Sequence, residues 1–280
     1  DVVPIVPLGS ATLHEAHVLA RAAGERIWTE LHIPVYFYGH GEAHTLAAIR
    51  AGRAAPDFGG PALHSTAGAI CIGARAALVA FNVILSEAEL TEARDLARSL
   101  RESSGGLRGV QALAFRLANG QVQLSMNLFR LSDTHPADVL AELARRGVSI
   151  VSQEIVGLCP AAAANAAAAG RLLEAALASA AARAAANRCR AIGDDEHVAL
   201  AGRLDREAGE LARLDATQDS FLAGAERAAA LIQVLRAAQV FNPELEAMLD
   251  AAARGFRFAV NTETAAVFAA RISALDARLR

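Results

Sequence analysis

A chain of 280 residues with 54% hydrophobic and 20% charged side chains has the composition of a globular protein with a substantial core, and its length suits two domains. A net charge of −3, with no dense basic patch, argues against a nucleic-acid partner. All the basic residues are Arg, so no Lys is present for a Schiff base or a P-loop.

The elements follow in chain order. Residues 2–8 read as a strand. Thr12 and Glu15 have capping-box spacing and open a helix that should bury Leu13, Ala16, Ala20, Ala23, Ile27 and Leu31. A strand over 34–39 comes next. Residues 56–85 then set a glycine-bracketed polar loop, running from Gly59 to Gly68, against a long apolar run. Such a loop leaves backbone N–H and C=O groups free to approach a flat or anionic ligand, because Gly59, Gly60, Gly68 and Gly73 carry no Cβ.

The clearest periodicity lies between 76 and 158. Residues 76–85 have strand length and apolarity. The Ser86 to Glu89 spacing predicts a helix from Glu87, with Leu90, Ala93, Ala97 and Leu100 inward and Gly105-Gly106 as its stop. Two strands, 110–117 and 121–129, flank Asn119-Gly120, the dipeptide of a tight hairpin. Pro136 opens a second helix through Val139, Leu140 and Leu143, and residues 149–158 form the last strand. The sum is a βαββαβ succession, hence an α+β fold with a ferredoxin-like subdomain. Residues 1–39 read as part of a second copy, whose sheet is incomplete within this chain.

From Pro160 the sequence turns alanine-rich and helical. Asp194 and Asn242-Pro243 serve as helix starts, and Leu204, Leu211, Leu214, Phe221, Leu231, Leu235, Leu245, Leu249 and Phe256 are core positions of a small bundle or dimerisation element. The acids at 194–196 complement a helix dipole. Arg residues interrupt the alanine tract too often for a membrane span. Cys71, Cys159 and Cys189 are three and widely spaced, so no disulfide framework or metal site is expected. A reducing compartment, and with it a cytoplasmic location, follows.

Several short stretches resemble a known family: DVVPIVP at 1–7, PVYFYG at 34–39, IRAG at 49–52, PDFG at 56–59, TAGA at 66–69, GAR at 73–75, AFNV at 80–83 and EIVGLCP at 154–160. Their order and spacing over the first 160 residues are similar to those of glutamate formimidoyltransferase, the formiminotransferase half of formiminotransferase-cyclodeaminase. The resemblance implies a transferase of one-carbon groups, moving the formimino group of N-formimino-L-glutamate to N5 of tetrahydrofolate in histidine degradation. It also implies two tandem ferredoxin-like subdomains with the ligand between them. Residues 1–58 would be the remainder of the first subdomain, 59–160 the second, and 161–280 a helical domain; a homodimer is expected.

In that family the loop matching Gly59, Gly60, Pro61, Ala62, Leu63, His64, Ser65, Thr66, Ala67 and Gly68 contacts the folate and links the subdomains. Arg50 and Arg75, whose neighbours match the family, are the expected partners of substrate carboxylates, since a planar guanidinium fork suits them. The family's catalytic histidine belongs to a His-Pro-Arg-x-Gly-x-x-Asp stretch whose final Asp matches Asp1, so the resemblance places it upstream and assigns no catalytic residue here. The tail lacks the Pro-Gly-Gly-Gly-Ser segment of the cyclodeaminase half. A catalytically inactive folate-binding or assembly protein is therefore the alternative to the transferase.

Proton traffic at the departing glutamate nitrogen suits a histidine. Of the eight, His64 alone sits in the folate loop. His14 and His17 fall on the exposed side of the first helix, His32, His40, His44 and His135 near element ends, and His197 in the tail. Asn82 and Asn127, polar within strand runs, are candidates to hold the loop, the ligand or neighbouring backbone.

Overall fold

The computed structural model describes the backbone of residues 2–279 and the side chains of residues 2–261. Asp1, which carries one end of the family resemblance, lies outside the described residues. The chain divides into two compact units, Asp1–Ala77 and Leu78–Arg280.

In the first unit, β1 (Val2–Ile5), α1 (Leu13–Leu31), β2 (Val35–Phe37), α2 (Leu46–Arg50) and β3 (Ile70–Ala74) follow in order. The capping box that opens α1 forms as expected: Glu15 N–H donates to Thr12 Oγ1 at 3.1 Å and Thr12 N–H to Glu15 Oε2 at 2.7 Å. Ala16, Ala20 and Gly24 make its buried face, and the smallness of Gly24 is required because a Cβ there would stand 2.6 Å from the Phe37 ring. Leu31, expected inside, is 55% exposed; it occupies the last turn, where His32 at φ 55° redirects the chain.

β3 was hidden in the apolar run. It lies between β1 and β2 and runs parallel to both, with Val2 and Tyr36 each opposite Cys71. In place of a partial antiparallel copy, these residues therefore form a three-stranded parallel sheet. Ile72, Val35 and Phe37 face α1 and form the core with Ala20.

The second unit begins with β4 (Val79–Leu85), α3 (Leu90–Leu100), β5 (Val110–Arg116), β6 (Val122–Leu128), α4 (Pro136–Arg145) and β7 (Ile150–Val156). The four strands form one antiparallel sheet in the order β5-β6-β4-β7. Its hairpin closes at Asn119-Gly120, where Leu117 N–H donates to Gln121 O at 2.8 Å and Gly120 takes φ 85°. Helix α3 starts later than its capping-box spacing predicts. Ser86 N–H is spent on Ser149 O at 3.0 Å, Glu87 turns left-handed at φ 49°, and Glu89 becomes the N-cap. Strand pairing outbids the local cap.

Period-two burial gives this sheet its inner face. Phe81, Val83, Leu124, Met126 and Leu128 pack with Ala97 and Leu100 of α3 and Val139 and Leu143 of α4 in one core. Each large side chain buried there contributes about 1.5–3 kcal/mol.

Helices α5 (Leu173–Ile192), α6 (Asp195–Leu211), α7 (Gln218–Ala237) and α8 (Pro243–Leu279) complete the chain, and no strand occurs among the described residues after 160. The core positions expected in the tail are buried, apart from partly buried Leu214. Caps form at Asp194, which accepts from His197 N–H at 2.8 Å, and at Asn242, which accepts from Leu245 N–H at 2.8 Å. Helix α5 presents a row of fully buried small residues, Ala178, Ala181, Ala182, Ala185, Ala186 and Cys189. The tail also extends the core of the sheet: Leu172, Phe221 and Phe256 join the same cluster as Phe81 and Leu124. The division at residues 77 and 78 thus differs from the expected boundaries after 58 and 160, because β3 draws the glycine-bracketed loop into the first unit and the tail packs as one body with the second sheet.

Candidate functional site

Both sheets leave one face uncovered by their own helices. On the first sheet, strand alternation sends Tyr36 and Tyr38 to the side opposite Phe37, together with Cys71 and Gly73. Gly73 is compelled there, since a Cβ would stand 1.7 Å from Tyr38 O and 3.1 Å from Tyr38 Cδ1.

Of the two arginines singled out in the sequence, Arg75 meets this face at Tyr38. Arg75, at the end of β3, hydrogen-bonds the Tyr38 hydroxyl and also donates to Ala76 O at 2.9 Å. Burial holds the Tyr38 phenol above its ordinary pKa and the Arg75 charge opposes it. Arg50, exposed at the last position of α2, opposes in the same way the rise that burial imposes on the Cys71 thiol. A guanidinium group beside the Tyr side chains of a sheet face suits a carboxylate. Tyr38 and Cys71 were not singled out as site residues; the alternation within PVYFYG was the available signal.

The loop from Gly59 to Gly68 closes on itself. His64 N–H donates to Gly68 O at 2.8 Å and Gly68 N–H to His64 O at 3.0 Å, while His64 Nδ1 accepts from Ala67 N–H at 3.1 Å and Thr66 N–H at 3.3 Å. The proton of the neutral ring is thereby placed on Nε2. Upstream, Asp57 carboxylate accepts from Phe37 N–H at 2.8 Å and Phe58 bridges to Val35, so the PDFG stretch lies along the edge of β2. Gly59 takes φ 92° with the Trp28 ring 2.9 Å from where its Cβ would be, which makes it a packing requirement. Pro61, Ala62, Leu63, Ser65, Thr66 and Ala67 are exposed, and Gly60 has open space around it. The loop leads into β3 of the same unit, while the division between units falls at residues 77 and 78.

The remaining histidines sit in local structure. His17 is half-buried, its Nδ1 3.6 Å from Glu42 and its ring edge-on to His40 at 6.2 Å, so it is not on the exposed side of α1 as the helix pattern suggested. His40 and His44 are four apart, a spacing that would align two ligands on a helix, but 40–44 is not helical and no group of three ligating side chains assembles among the described residues. His135 is the N-cap of α4, with its N–H donated to Asp138 at 2.7 Å. No helix among the described residues is long and apolar enough to cross a membrane.

On the second sheet the uncovered face is polar at its centre. Cross-strand register aligns Leu113, Ser125, Asn82 and Glu154 in one row across all four strands. Asn82 Nδ2 approaches Glu154 Oε2 at 3.5 Å, joining the AFNV and EIVGLCP stretches. Gln111, Gln123, Asn127 and Ser152 extend the polar surface, and Leu113 and Phe115 stand exposed at the β5 edge.

Residues 1–75, which hold the first of these faces and the whole loop, match the family described as the formiminotransferase domain, N-terminal subdomain. The N-terminal part of the chain is related to the formiminotransferases. It is 39% identical over 183 residues to the glutamate formimidoyltransferase of Thermoplasma acidophilum, covering 57% of this chain and 60% of that protein. It is 34% identical over 186 residues to the glutamate formimidoyltransferase of Streptococcus pyogenes serotype M1, covering 58% and 61%. The formimidoyltransferase-cyclodeaminase of Mus musculus is 34% identical over 188 residues, covering 57% of this chain and 34% of that protein. The chain thus spans about 60% of the length of the two formimidoyltransferases it matches.

Proposed function

We propose that this protein acts as a glutamate formimidoyltransferase, passing the formimino group of N-formimino-L-glutamate to tetrahydrofolate. One observation carries the reading: residues 1–75 match the formiminotransferase N-terminal subdomain, and the same stretch holds Arg50 and Arg75, whose guanidinium forks suit the two carboxylates of a glutamyl group. The order β5-β6-β4-β7 with two crossover helices supports a ferredoxin-like second subdomain. Helices α5 to α8 would then be a domain of assembly, and a homodimer in the cytoplasm is the corresponding expectation.

In this reading the chain's own residues bind and orient. Arg50 and Arg75 fix the glutamyl carboxylates, and the loop from Gly59 to Gly68 lies along the folate with exposed backbone and the Nε2–H of His64 available as a donor. Orientation of two bound reactants is itself worth several kcal/mol of barrier.

Titration calorimetry of the protein with 5-formyltetrahydrofolate and with N-formyl-L-glutamate tests the binding half, and glutamate release from N-formimino-L-glutamate in the presence of tetrahydrofolate tests the transfer. Saturable binding of both ligands and folate-dependent release are expected. Failure to bind any folate would overturn the reading.

A further inference from the structure

Helices α6 and α7 of the tail leave a groove between them that the transfer chemistry does not use. α6 packs along α5 and α7 along α8, and the two are tied to each other at the groove's ends. At one end His197 Nε2 stands 3.2 Å from Ala238 O; at the other, Arg227 holds Glu207 at 2.9 Å and Glu210 at 2.5 Å. Two adjoining cavities, of about 630 and 490 Å³, occupy the length between, and Leu200, Arg203 and Val234 line both. Ile192 at the end of α5 is 51% exposed and Val234 39%, so apolar surface lies open along the groove.

The charges on α6 have a symmetry. Glu196 and Arg203 lie on one side of the helix, two turns and about 10 Å apart along its axis, with exposed Ala199 and buried Leu200 midway. Neither side chain has an ion-pair or hydrogen-bond partner among the described residues, whereas His197, Glu207, Glu210 and Arg227, which also line the groove, are all paired. We infer that this groove receives α6 of a second copy of the chain, the two helices antiparallel about a two-fold axis beside Ala199 and Leu200. A two-fold contact has to be its own complement. Reversing α6 about the midpoint of 196 and 203 sets Glu196 of one copy against Arg203 of the other, and the same operation creates the reciprocal pair. A parallel pairing would set Glu196 against itself and Arg203 against itself, so charge fixes the direction. The small side chain of Ala199 lets the helices approach at the axis, and Ile192 and Val234 lose their exposure along the sides. The inference deepens the assembly role proposed for α5 to α8 and rests on it.

Sedimentation equilibrium of the full chain, of Glu196→Arg, of Arg203→Glu and of the double exchange tests it. The unsubstituted chain should be a dimer. Each single reversal creates two like-charge contacts per interface and should weaken dimerisation by about a hundredfold, and the double exchange should restore it. The two single variants, mixed in equal amounts, should dimerise with each other, because every facing pair is then opposite in sign. Glu196→Arg also places a cation in the first turn of α6, against the helix dipole, so this recombination is the deciding measure: a misfolded variant cannot produce it. Dimers that ignore both reversals, or single variants that stay apart when mixed, overturn the inference and leave the assembly role standing. A monomeric unsubstituted chain overturns both.

Discussion

Gly255 of α8 faces Glu174 of α5 so closely that a Cβ on the glycine would stand 2.6 Å from both Cγ and Oε1 of the glutamate. Glu174 is 6% exposed, its Oε2 accepts from Ala161 N–H at 2.8 Å, and burial raises its carboxyl pKa. Gly255→Ala must displace that side chain, and a loss of about 2 kcal/mol in unfolding free energy is expected from overpacking. Denaturant melts of the two proteins check it.

Three glycines of the candidate folate loop should separate cleanly. Gly59→Ala incurs both left-handed strain and a clash with Trp28 and should cost about 3 kcal/mol; Gly68→Ala, at φ 70° with open space, about 1; Gly60→Ala less than about 0.5. Thermal unfolding of the three variants gives the order. Because a side chain at 68 meets nothing in the fold, Gly68→Val is the sharper probe of folate contact, with affinity expected to fall more than stability.

Replacing Arg75 by Gln should weaken binding of N-formyl-L-glutamate by about tenfold, the size of one charge-assisted hydrogen bond. It should also raise the Tyr38 phenol pKa further, because the Arg75 charge and hydrogen bond both hold it down against burial. Ultraviolet titration of tyrosine in the unliganded protein reads that shift apart from any ligand.

His197 should stabilise the tail in a limited pH range. Its Nδ1 lies 2.7 Å from Asp194 Oδ1 and its Nε2 3.2 Å from Ala238 O, so both nitrogens have acceptors and the imidazolium is favoured. The Asp194 hydrogen bond, then that to Ala238, raises the pKa. The contribution is complete below the ordinary imidazole value and disappears as pH rises through the raised one. Asp194, lowered by its bonds to His197, contributes above the ordinary carboxylate value and loses that contribution as pH falls through its own. His197→Gln should remove the alkaline slope of melting temperature and shrink the acid limb to the part carried by the backbone N–H of residue 197.

Thiol labelling should distinguish the cysteines. Cys159 is fully buried and its thiol is pushed up to about 12, and Cys189 is fully buried as well, whereas Cys71 is half-buried on an uncovered sheet face. Mass spectrometry after iodoacetamide treatment of the native protein should find Cys71 modified first and slowly, with all three modified after denaturation.

What the sequence disclosed depended on how local the controlling chemistry was. Thr12 with Glu15, Asn119-Gly120 and Pro136 act within four residues, and each produced the predicted feature. Ser86 had the same local pattern, but its N–H was claimed by Ser149, more than sixty residues away, a competition no spacing rule registers. Strand β3 was legible only as part of one long apolar run: that ICIGA is a strand of its own follows from partners on both sides, one near the start of the chain. At the site, Arg50 and Arg75 were visible as residues, but the strand that ends beside Arg75 was not separable from the run around it. Asn82 was singled out as a polar residue in a strand run and Glu154 was quoted only within a motif; register alone makes them neighbours.

The alanine row of α5 gives the tail an asymmetric tolerance to change. An alanine fixed in a helix surrenders no side-chain rotamer entropy, and trimming it to glycine removes a single methyl group and costs about 1 kcal/mol per site. Enlarging Ala182 or Ala185 has no such ceiling, because both are fully buried in the core of the helices and a larger side chain must push its neighbours apart. In the sheet core the vulnerability is reversed, with Phe81 and Leu124 exposed to loss. Random substitution should therefore scar the two halves of the second unit in opposite ways: through voids beneath the sheet, and through wedges between the helices.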